Sequence, residues 1–253
     1  MERTTYSHGE PSWQDQTSPD DAKAAEFYSA LFGWDCPSGD PEFGGYRQCS
    51  LNGKLVAGIN PQTQPGPTVW NIYVNVDSAS DAASLVTQNG GQVLLEPMEI
   101  GHVGTVAMFM DTTGAAFGVW EPGTHRGAEV RNEPGAACWH ELVTDDLDAA
   151  TTFYSAVFGW EGKPHGTGPG GYMEFKLGDK TVGGMMSRPP TMPANVPAHW
   201  AVYFAVDDAD AAAAKVTELG GKVIVGPTDI QPGRFAVVLD STGASFNILK
   251  SSR

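Results

Sequence analysis

The chain has 253 residues, of which 41% are apolar and 18% are charged, enough for one large or two ordinary domains and unlike a disordered chain. Its formal net charge of −15 disfavours binding to nucleic acid or to an anionic membrane surface, so we expect a small-molecule partner. Residues 1–10 lack the apolar stretch of a signal peptide, and no run approaches the roughly 18 apolar residues of a membrane span, so we expect a cytoplasmic protein.

The first predicted unit is a strand, a helix and two further strands. Residues 13–17 have the composition of a short strand. Ser18 can cap the helix that follows, with Pro19 at its first position, and Gly33 can end it. Two strands are then predicted at 46–51 and 54–59.

A second unit follows in the same half. It begins with an aromatic and β-branched strand at 70–76 and continues with an Ala-rich helix at 79–88. Asn89-Gly90-Gly91 is a typical helix stop signal. Three strands complete the unit near 92–95, 103–110 and 115–120.

The second half of the chain repeats the first. The FYSA sequence at 27–30 recurs at 153–156, and FGW at 32–34 recurs at 158–160, both shifted by 126 positions (153 − 27). The DTTGA turn at 111–115 recurs as DSTGA at 240–244. The halves are therefore homologous. We predict two α+β domains, 11–121 and 137–250, joined by the Gly/Pro-rich polar linker 122–136.

Three cysteines are present, Cys36, Cys49 and Cys138. An odd and sparse count without close pairing indicates neither a disulfide framework nor a CxxC metal site.

The duplicated helices and the Asp-x-Thr-Gly-Ala turns resemble those of the glyoxalase/bleomycin-resistance/dioxygenase superfamily, also called vicinal oxygen chelate proteins. The resemblance covers nearly the whole chain and extends to a two-domain actinobacterial group of hydroxylases and accessory proteins of aromatic polyketide antibiotic pathways. It implies that each domain contains two βαβββ modules whose strands form a curled, cup-shaped sheet.

The resemblance also implies where a divalent metal would be held, by His or Glu from the first, fifth and last strands of each cup. Indole, alanine and glycine cannot bind such an ion, and asparagine is a weak ligand. We therefore predict that neither cup holds a metal and that no cofactor is required. The aligned positions carry Trp13, Asn71 and Gly118 in the first half, and Trp139, Ala201 and Asn247 in the second.

Strand alternation indicates which side chains face each cup, because residues two apart share a face of the sheet. Aromatic rings and a gap at Gly118 favour a flat ligand in the first cup, whereas Asn247 and Leu249, in place of Gly118 and Trp120, should make the second cup narrower and less aromatic. The same aromatic residues could equally be core. The candidate ligand-binding residues are Trp13, Asp15, Asn71, Tyr73, Gly118 and Trp120 in the first half, and Trp139, Glu141, Tyr203 and Asn247 in the second.

Two functions stay open. The first is metal-independent binding of a planar, partly aromatic metabolite or antibiotic, for sequestration or carriage. The second is a glyoxalase- or dioxygenase-like enzyme, either cofactor-free, with Asp15 or Glu141 as general base, or metal-dependent. Each of these carboxyls could instead be buried and satisfied by its neighbours. Since the duplication supplies both domains in one chain, we expect a monomer or a weak dimer.

Overall fold

The computed structural model describes residues 1–165 and 171–252. Its elements confirm the α+β class, with four α-helices and fifteen strands in the described residues. The first half contains β1 (Pro11–Ser18), α1 (Asp21–Phe32), β2 (Arg47–Leu51), β3 (Lys54–Pro61), β4 (Val69–Asn75), α2 (Ala79–Gln88), β5 (Gln92–Ile100), β6 (Gly104–Met110) and β7 (Ala116–Pro122). The second half contains β8 (Ala137–Thr144), α3 (Leu147–Phe158), β9 (Glu161–His165), β10 (Tyr172–Leu177), β11 (Lys180–Ser187), β12 (His199–Ala205), α4 (Ala209–Glu218), β13 (Lys222–Ile230), β14 (Gly233–Leu239) and β15 (Ser245–Ser251).

Each half forms one mixed sheet. The first has the strand order β2-β3-β1-β4-β7-β6-β5, and the second has the order β13-β14-β15-β12-β8-β11-β10-β9. The second sheet therefore contains two βαβββ modules, as expected. The first sheet is one strand short, because the counterpart of β9 is reduced to a single bridge between Asp35 and Ser50.

Local sequence explains where the helices begin and end. Helix α1 begins at Asp21, after Asp20, whose side chain accepts a hydrogen bond from the backbone N–H of Lys23. Ser18 is the last residue of β1 rather than the cap, because the strand extends through it. Gly33 ends the helix with a φ of 76°, which glycine adopts without steric cost. None of the helices in 1–165 and 171–252 is long and apolar enough to cross a membrane.

The two halves share one hydrophobic core. The Tyr28 hydroxyl in α1 donates to Asp240 Oδ2 of the second half at 2.7 Å, and the Tyr154 hydroxyl in α3 donates to Asp111 Oδ2 of the first half at 2.8 Å. The helices α1 and α3, which carry the repeated FYSA sequence, therefore join the halves reciprocally.

The segment between the two sheets is docked rather than extended. The backbone N–H of Ala128 donates to Ser12 O at 2.8 Å, and that of Glu129 donates to Leu55 O at 2.7 Å. These bonds fix residues 127–130 between the first residues of β1 and those of β3. We call 123–130 the covering segment, because it lies at the mouth of the first cup.

The cysteine prediction was wrong. Cys36 and Cys49 form a disulfide with their Cα atoms 4.3 Å apart, although they are 13 residues apart in sequence. The Asp35–Ser50 bridge places them side by side, which their spacing alone does not reveal. Cys138 is the free thiol.

Candidate functional site

A buried carboxyl lies on the inner face of the first sheet. Antiparallel pairing of β1 and β4 sets Asp15 opposite Asn71 and Trp13 opposite Tyr73. Asp15 Oδ1 accepts a hydrogen bond from Asn71 Nδ2 at 3.0 Å, and Oδ2 accepts from the Tyr73 hydroxyl at 3.0 Å and the Tyr46 hydroxyl at 3.1 Å. Burial raises the pKa of Asp15, and the three donors offset part of that rise.

Tyr46 is a site residue that the sequence analysis missed. Its hydroxyl also accepts a hydrogen bond from Trp13 Nε1 at 2.8 Å. Its ring crosses β3 at Gly58, where a Cβ atom would lie 1.9 Å from the Tyr46 oxygen. The repeated sequence Gly-Gly-Tyr, at 44–46 and 170–172, was the signal that could have indicated this residue.

The second cup repeats this arrangement with one donor fewer. Glu141 Oε1 accepts a hydrogen bond from the Tyr203 hydroxyl at 2.6 Å, and Tyr172 interacts with the same carboxyl. Trp139 Nε1 donates to the Tyr172 hydroxyl at 2.8 Å, as Trp13 does to Tyr46. Ala201 lies opposite Glu141, where the first half has Asn71, so Glu141 receives no amide donor from that position.

Burial also sets the protonation of these groups. It raises the pKa of Glu141 and raises that of Tyr203 well above its ordinary value, the nearby carboxylate adding to the effect on the tyrosine. Tyr203 is therefore a fixed hydroxyl donor near neutral pH. Glu141 is an acceptor that becomes a donor when it is protonated.

The space expected at Gly118 is occupied. A Cβ atom at this position would lie 2.3 Å from Cδ1 of Tyr73 and 3.0 Å from the sulfur of Met108. The small residue therefore accommodates the Tyr73 ring that donates to Asp15, rather than leaving room for a ligand. Its counterpart Asn247 is buried, and it pairs with Tyr203 across β15 and β12.

The covering segment fills the gap between the two indoles of the first cup. The ring of His125 lies 4.4 Å from that of Trp13 and 5.5 Å from that of Trp120, and Trp120 Nε1 donates to the His125 carbonyl at 2.8 Å. Burial lowers the pKa of His125 to about 4, so the ring is neutral at pH 7. The sequence analysis gave this histidine no role.

The first cup, where a flat ligand was expected, is covered by its own chain. Trp13 is 4% exposed and Trp120 is 8% exposed, because His125 packs against both. Their counterparts Trp139 and Leu249 are half-buried. The first cup has more aromatic surface, but its own chain covers that surface.

The positions aligned with metal ligands do not suit a metal. The indoles of Trp13 and Trp139 donate their N–H groups to tyrosines, and the carboxyls of Asp15 and Glu141 accept from tyrosines. In the described residues, 1–165 and 171–252, no group of three or more His, Cys, Asp or Glu side chains is placed to hold a metal ion.

Comparison with known proteins was made for sequence and for structure. Residues 134–248 match the family model of the glyoxalase/bleomycin resistance protein/dioxygenase superfamily. The chain is 44% identical over 257 residues to the "Putative glyoxylase CFP32" of Mycobacterium tuberculosis, covering 98% of this chain and 97% of that one. It is 39% identical over 265 residues to the anthracycline biosynthesis protein DnrV of Streptomyces peucetius, covering 98% and 95%.

Solved structures with the same fold include a Mn(II)-bound glyoxalase and a dioxygenase. The Mn(II)-bound glyoxalase of Novosphingobium aromaticivorans superposes with a TM-score of 0.65 at 17% identity, covering 96% of this chain and 83% of that one. The 2,2',3-trihydroxybiphenyl 1,2-dioxygenase of Sphingomonas wittichii gives 0.67 at 14% identity, covering 97% and 91%. At these sequence identities the similarity establishes the fold alone, and the chemistry has to be inferred from the residues of the site.

Proposed function

Since the chain belongs to the glyoxalase/bleomycin resistance protein/dioxygenase superfamily, we propose that it binds a planar, oxygenated, partly aromatic small molecule in its second cup, without a metal. The observation that carries this proposal is the half-buried indole of Trp139 on the same face of β8 as the buried carboxyl of Glu141. A flat apolar surface with a few convergent polar groups is typical of small-molecule sites.

The apolar side of the second cup suits a ring. Phe235 lies 6.5 Å from Tyr203, centroid to centroid, with an interplanar angle of 30°. Phe235, Leu249 and Trp139 are all half-buried, so a ligand would remove further apolar surface from water. Burial of that surface contributes about 25 cal/mol per Å².

The polar side suits a hydroxyl or carbonyl group. Ala201 replaces the amide that Asp15 has in the first cup, which leaves Glu141 with acceptor capacity for a ligand hydroxyl. The hydroxyl groups of Tyr203 and Tyr172 donate to this carboxyl and hold it in place, and Glu141 itself can donate to a ligand carbonyl when it is protonated. The likeness to a protein named for anthracycline biosynthesis supports a ligand from secondary metabolism.

Fluorescence titration with hydroxylated anthraquinones tests the proposal on protein treated with a chelator. We expect Trp139→Ala to weaken binding by about 1–3 kcal/mol through lost ring contact. The matched variant in the first cup, Trp120→Ala, should leave the affinity unchanged, with circular dichroism to verify that both variants fold. A loss confined to Trp120→Ala would place the ligand in the first cup instead, against Trp13 and Tyr73.

Metal content is the second arm of this test. Elemental analysis of untagged protein should give no stoichiometric metal, because indole and amide side chains stand at the ligand positions. About one Zn, Fe, Ni or Mn per chain, lost together with ligand binding on chelation, would contradict metal-independent binding.

A cofactor-free enzyme is the alternative, and the raised pKa of Glu141 favours it. A carboxyl whose pKa moves towards neutrality is a better general base than an exposed one. Product formation from the bound compound by metal-free protein, abolished in Glu141→Gln while binding persists, would establish catalysis. Binding without turnover supports sequestration or carriage.

A further inference from the structure

A cavity lies beside the second cup and shares the indole of Trp139 with it. It has a volume of about 420 Å³ and lies between the first residues of β8 and those of β11. These strands pair only from Glu141 and Gly184 onwards, so the sheet is open before that point. The lining includes Arg3, Glu10, Arg131, His140, Lys180 and Thr181.

The first half has the same opening, and there a carboxylate of the covering segment enters it, beside a cavity of about 410 Å³. Strands β1 and β3 pair only from Asp15 and Gly58 onwards. The covering segment occupies the space before that point, and Glu129 Oε2 accepts a hydrogen bond from the backbone N–H of Leu55 at 2.8 Å. The counterpart of Leu55 is Thr181 (55 + 126), which lines the cavity of the second half.

The charges at the cavity are mostly positive, although the whole chain carries −15. Glu10 pairs with Lys180 Nζ at 2.7 Å and with Arg3 Nη2 at 3.4 Å. Arg131 donates to Pro11 O at 2.7 Å and to His140 Nδ1 at 3.2 Å. Among the residues that the structure describes, no carboxylate pairs with Arg131, so three cations share one acid.

His140 supplies an unused donor. Its ring is 1% exposed, and Nε2 has no hydrogen-bond partner among the described residues. Because a guanidinium can only donate, Nδ1 must accept from Arg131, and the proton of the neutral ring is therefore on Nε2. Arg3 Nε is a second buried donor without a partner in the described part of the chain. Buried donors of this kind are normally satisfied, so both indicate an acceptor that is yet to be placed.

We propose that this cavity binds the carboxylate group of a small molecule, held by Arg131, with Lys180 at its entrance and His140 orienting the guanidinium through Nδ1. A planar guanidinium fork matches the two oxygens of a carboxylate. The cavity shares Trp139 with the proposed ring site, but neutral anthraquinones and benzoate test the two proposals separately.

Isothermal titration of the full-length protein tests this inference with four probes. Benzoate and cyclohexanecarboxylate should bind with similar affinity, because the site recognises the carboxylate and not the ring. The neutral analogue benzamide should bind at least about tenfold more weakly. Inorganic phosphate should be no better than benzamide.

Three variants locate the site. Arg131→Gln should weaken benzoate binding about tenfold, and His140→Gln, which removes the ring that orients Arg131, and Lys180→Gln should each weaken it about threefold. Glutamine suits position 140 because the counterpart in the first half is Gln14. The exposed Lys180 keeps the test valid if Arg131→Gln does not fold. Arg234→Gln, at a surface ion pair with Asp210, is the matched control and should bind as the parent does.

Three results would overturn the proposal. One is equal affinity for benzoate in the parent and in all three variants. Another is preference for phosphate over both carboxylates. The third is that benzoate and cyclohexanecarboxylate do not compete with each other, whereas a peptide with the sequence of residues 124–131 binds. That result would identify the cavity as a strand-docking site.

Discussion

The two buried carboxyls are counterparts that are held by different sets of donors. Asp15 accepts from two tyrosines and from Asn71, whereas Glu141 has Ala201 in place of the amide. With alanine in place of the amide, Glu141 keeps acceptor capacity that Asp15 has used. The covered cup has the complete set of donors, and the more open cup lacks one.

His125 gives the first cup a dependence on pH. Burial lowers its pKa to about 4, below the unfolded value of about 6.5. The neutral ring therefore contributes stability that is present above pH ~6.5 and is lost as the pH falls towards 4. We expect the melting temperature of His125→Phe, which retains a ring against Trp13, to fall less than that of the parent as the pH is lowered over this range. Parallel melting curves of parent and variant between pH 7 and 4 measure the difference, and identical slopes would contradict it.

Hydrogen bonds between helices and turns join the halves, and they are not equivalent. Asp240 Oδ2 accepts from both Tyr28 and Gln16 of the first half. Within the described part of the chain, Asp111 Oδ2 accepts from Tyr154 alone, because the counterpart of Gln16 is Leu142.

Removing one tyrosine hydroxyl should therefore cost more than removing the other. We expect Tyr154→Phe to lower the free energy of unfolding by about 1–3 kcal/mol, since Asp111 Oδ2 loses its donor, and Tyr28→Phe to lower it by less. Urea denaturation of both variants measures the two losses. An equal loss, or a larger one for Tyr28→Phe, would show that Gln16 does not compensate.

The disulfide closes the segment that carries Tyr46 to the first cup. Linking Cys36 to Cys49 restricts the unfolded chain, which for a loop of this length stabilises the fold by about 3 kcal/mol. We expect the Cys36→Ser/Cys49→Ser variant to lose about that much, and Cys138→Ser to lose little. Thiol titration in denaturant should give one free thiol per chain before reduction and three afterwards. Three thiols in untreated protein would show that the bond does not form in the cytoplasm expected for this chain.

The sequence predicted the repeated helices and strands, but it did not predict the contacts that cover the first cup or the disulfide. Strand alternation and the shift of 126 positions located Trp13, Asp15 and their counterparts, because periodicity reports which face a strand residue occupies. Tyr46 and His125 reach the first cup from outside the three aligned strands, so periodicity could not place them there. The disulfide was missed for the same reason, since only the paired ends of the loop bring its cysteines together.

At the scale of the whole molecule, the apolar faces of the helices are covered within one chain. Apart from Met1 and Phe43, the large exposed apolar side chains lie on the outer strands β5 and β13, among them Leu94, Met98 and Ile224. We expect a monomer in solution, because no helix face among the described residues needs a partner to bury it. Sedimentation velocity at micromolar concentration measures this. A tight dimer that is dispersed by Leu94→Lys would show instead that β5 is an interface.

The reciprocal tyrosine–aspartate bonds also limit how the two copies can diverge. Each half supplies the acceptor that the other half's helix requires, so a substitution that removes one of these groups destabilises both halves. Selection therefore acts on the pair as a single unit where the halves meet. The inner faces of the sheets point away from that contact. Inherited changes there leave the shared core intact, so one copy could keep a covered cup while the other acquired a different ligand.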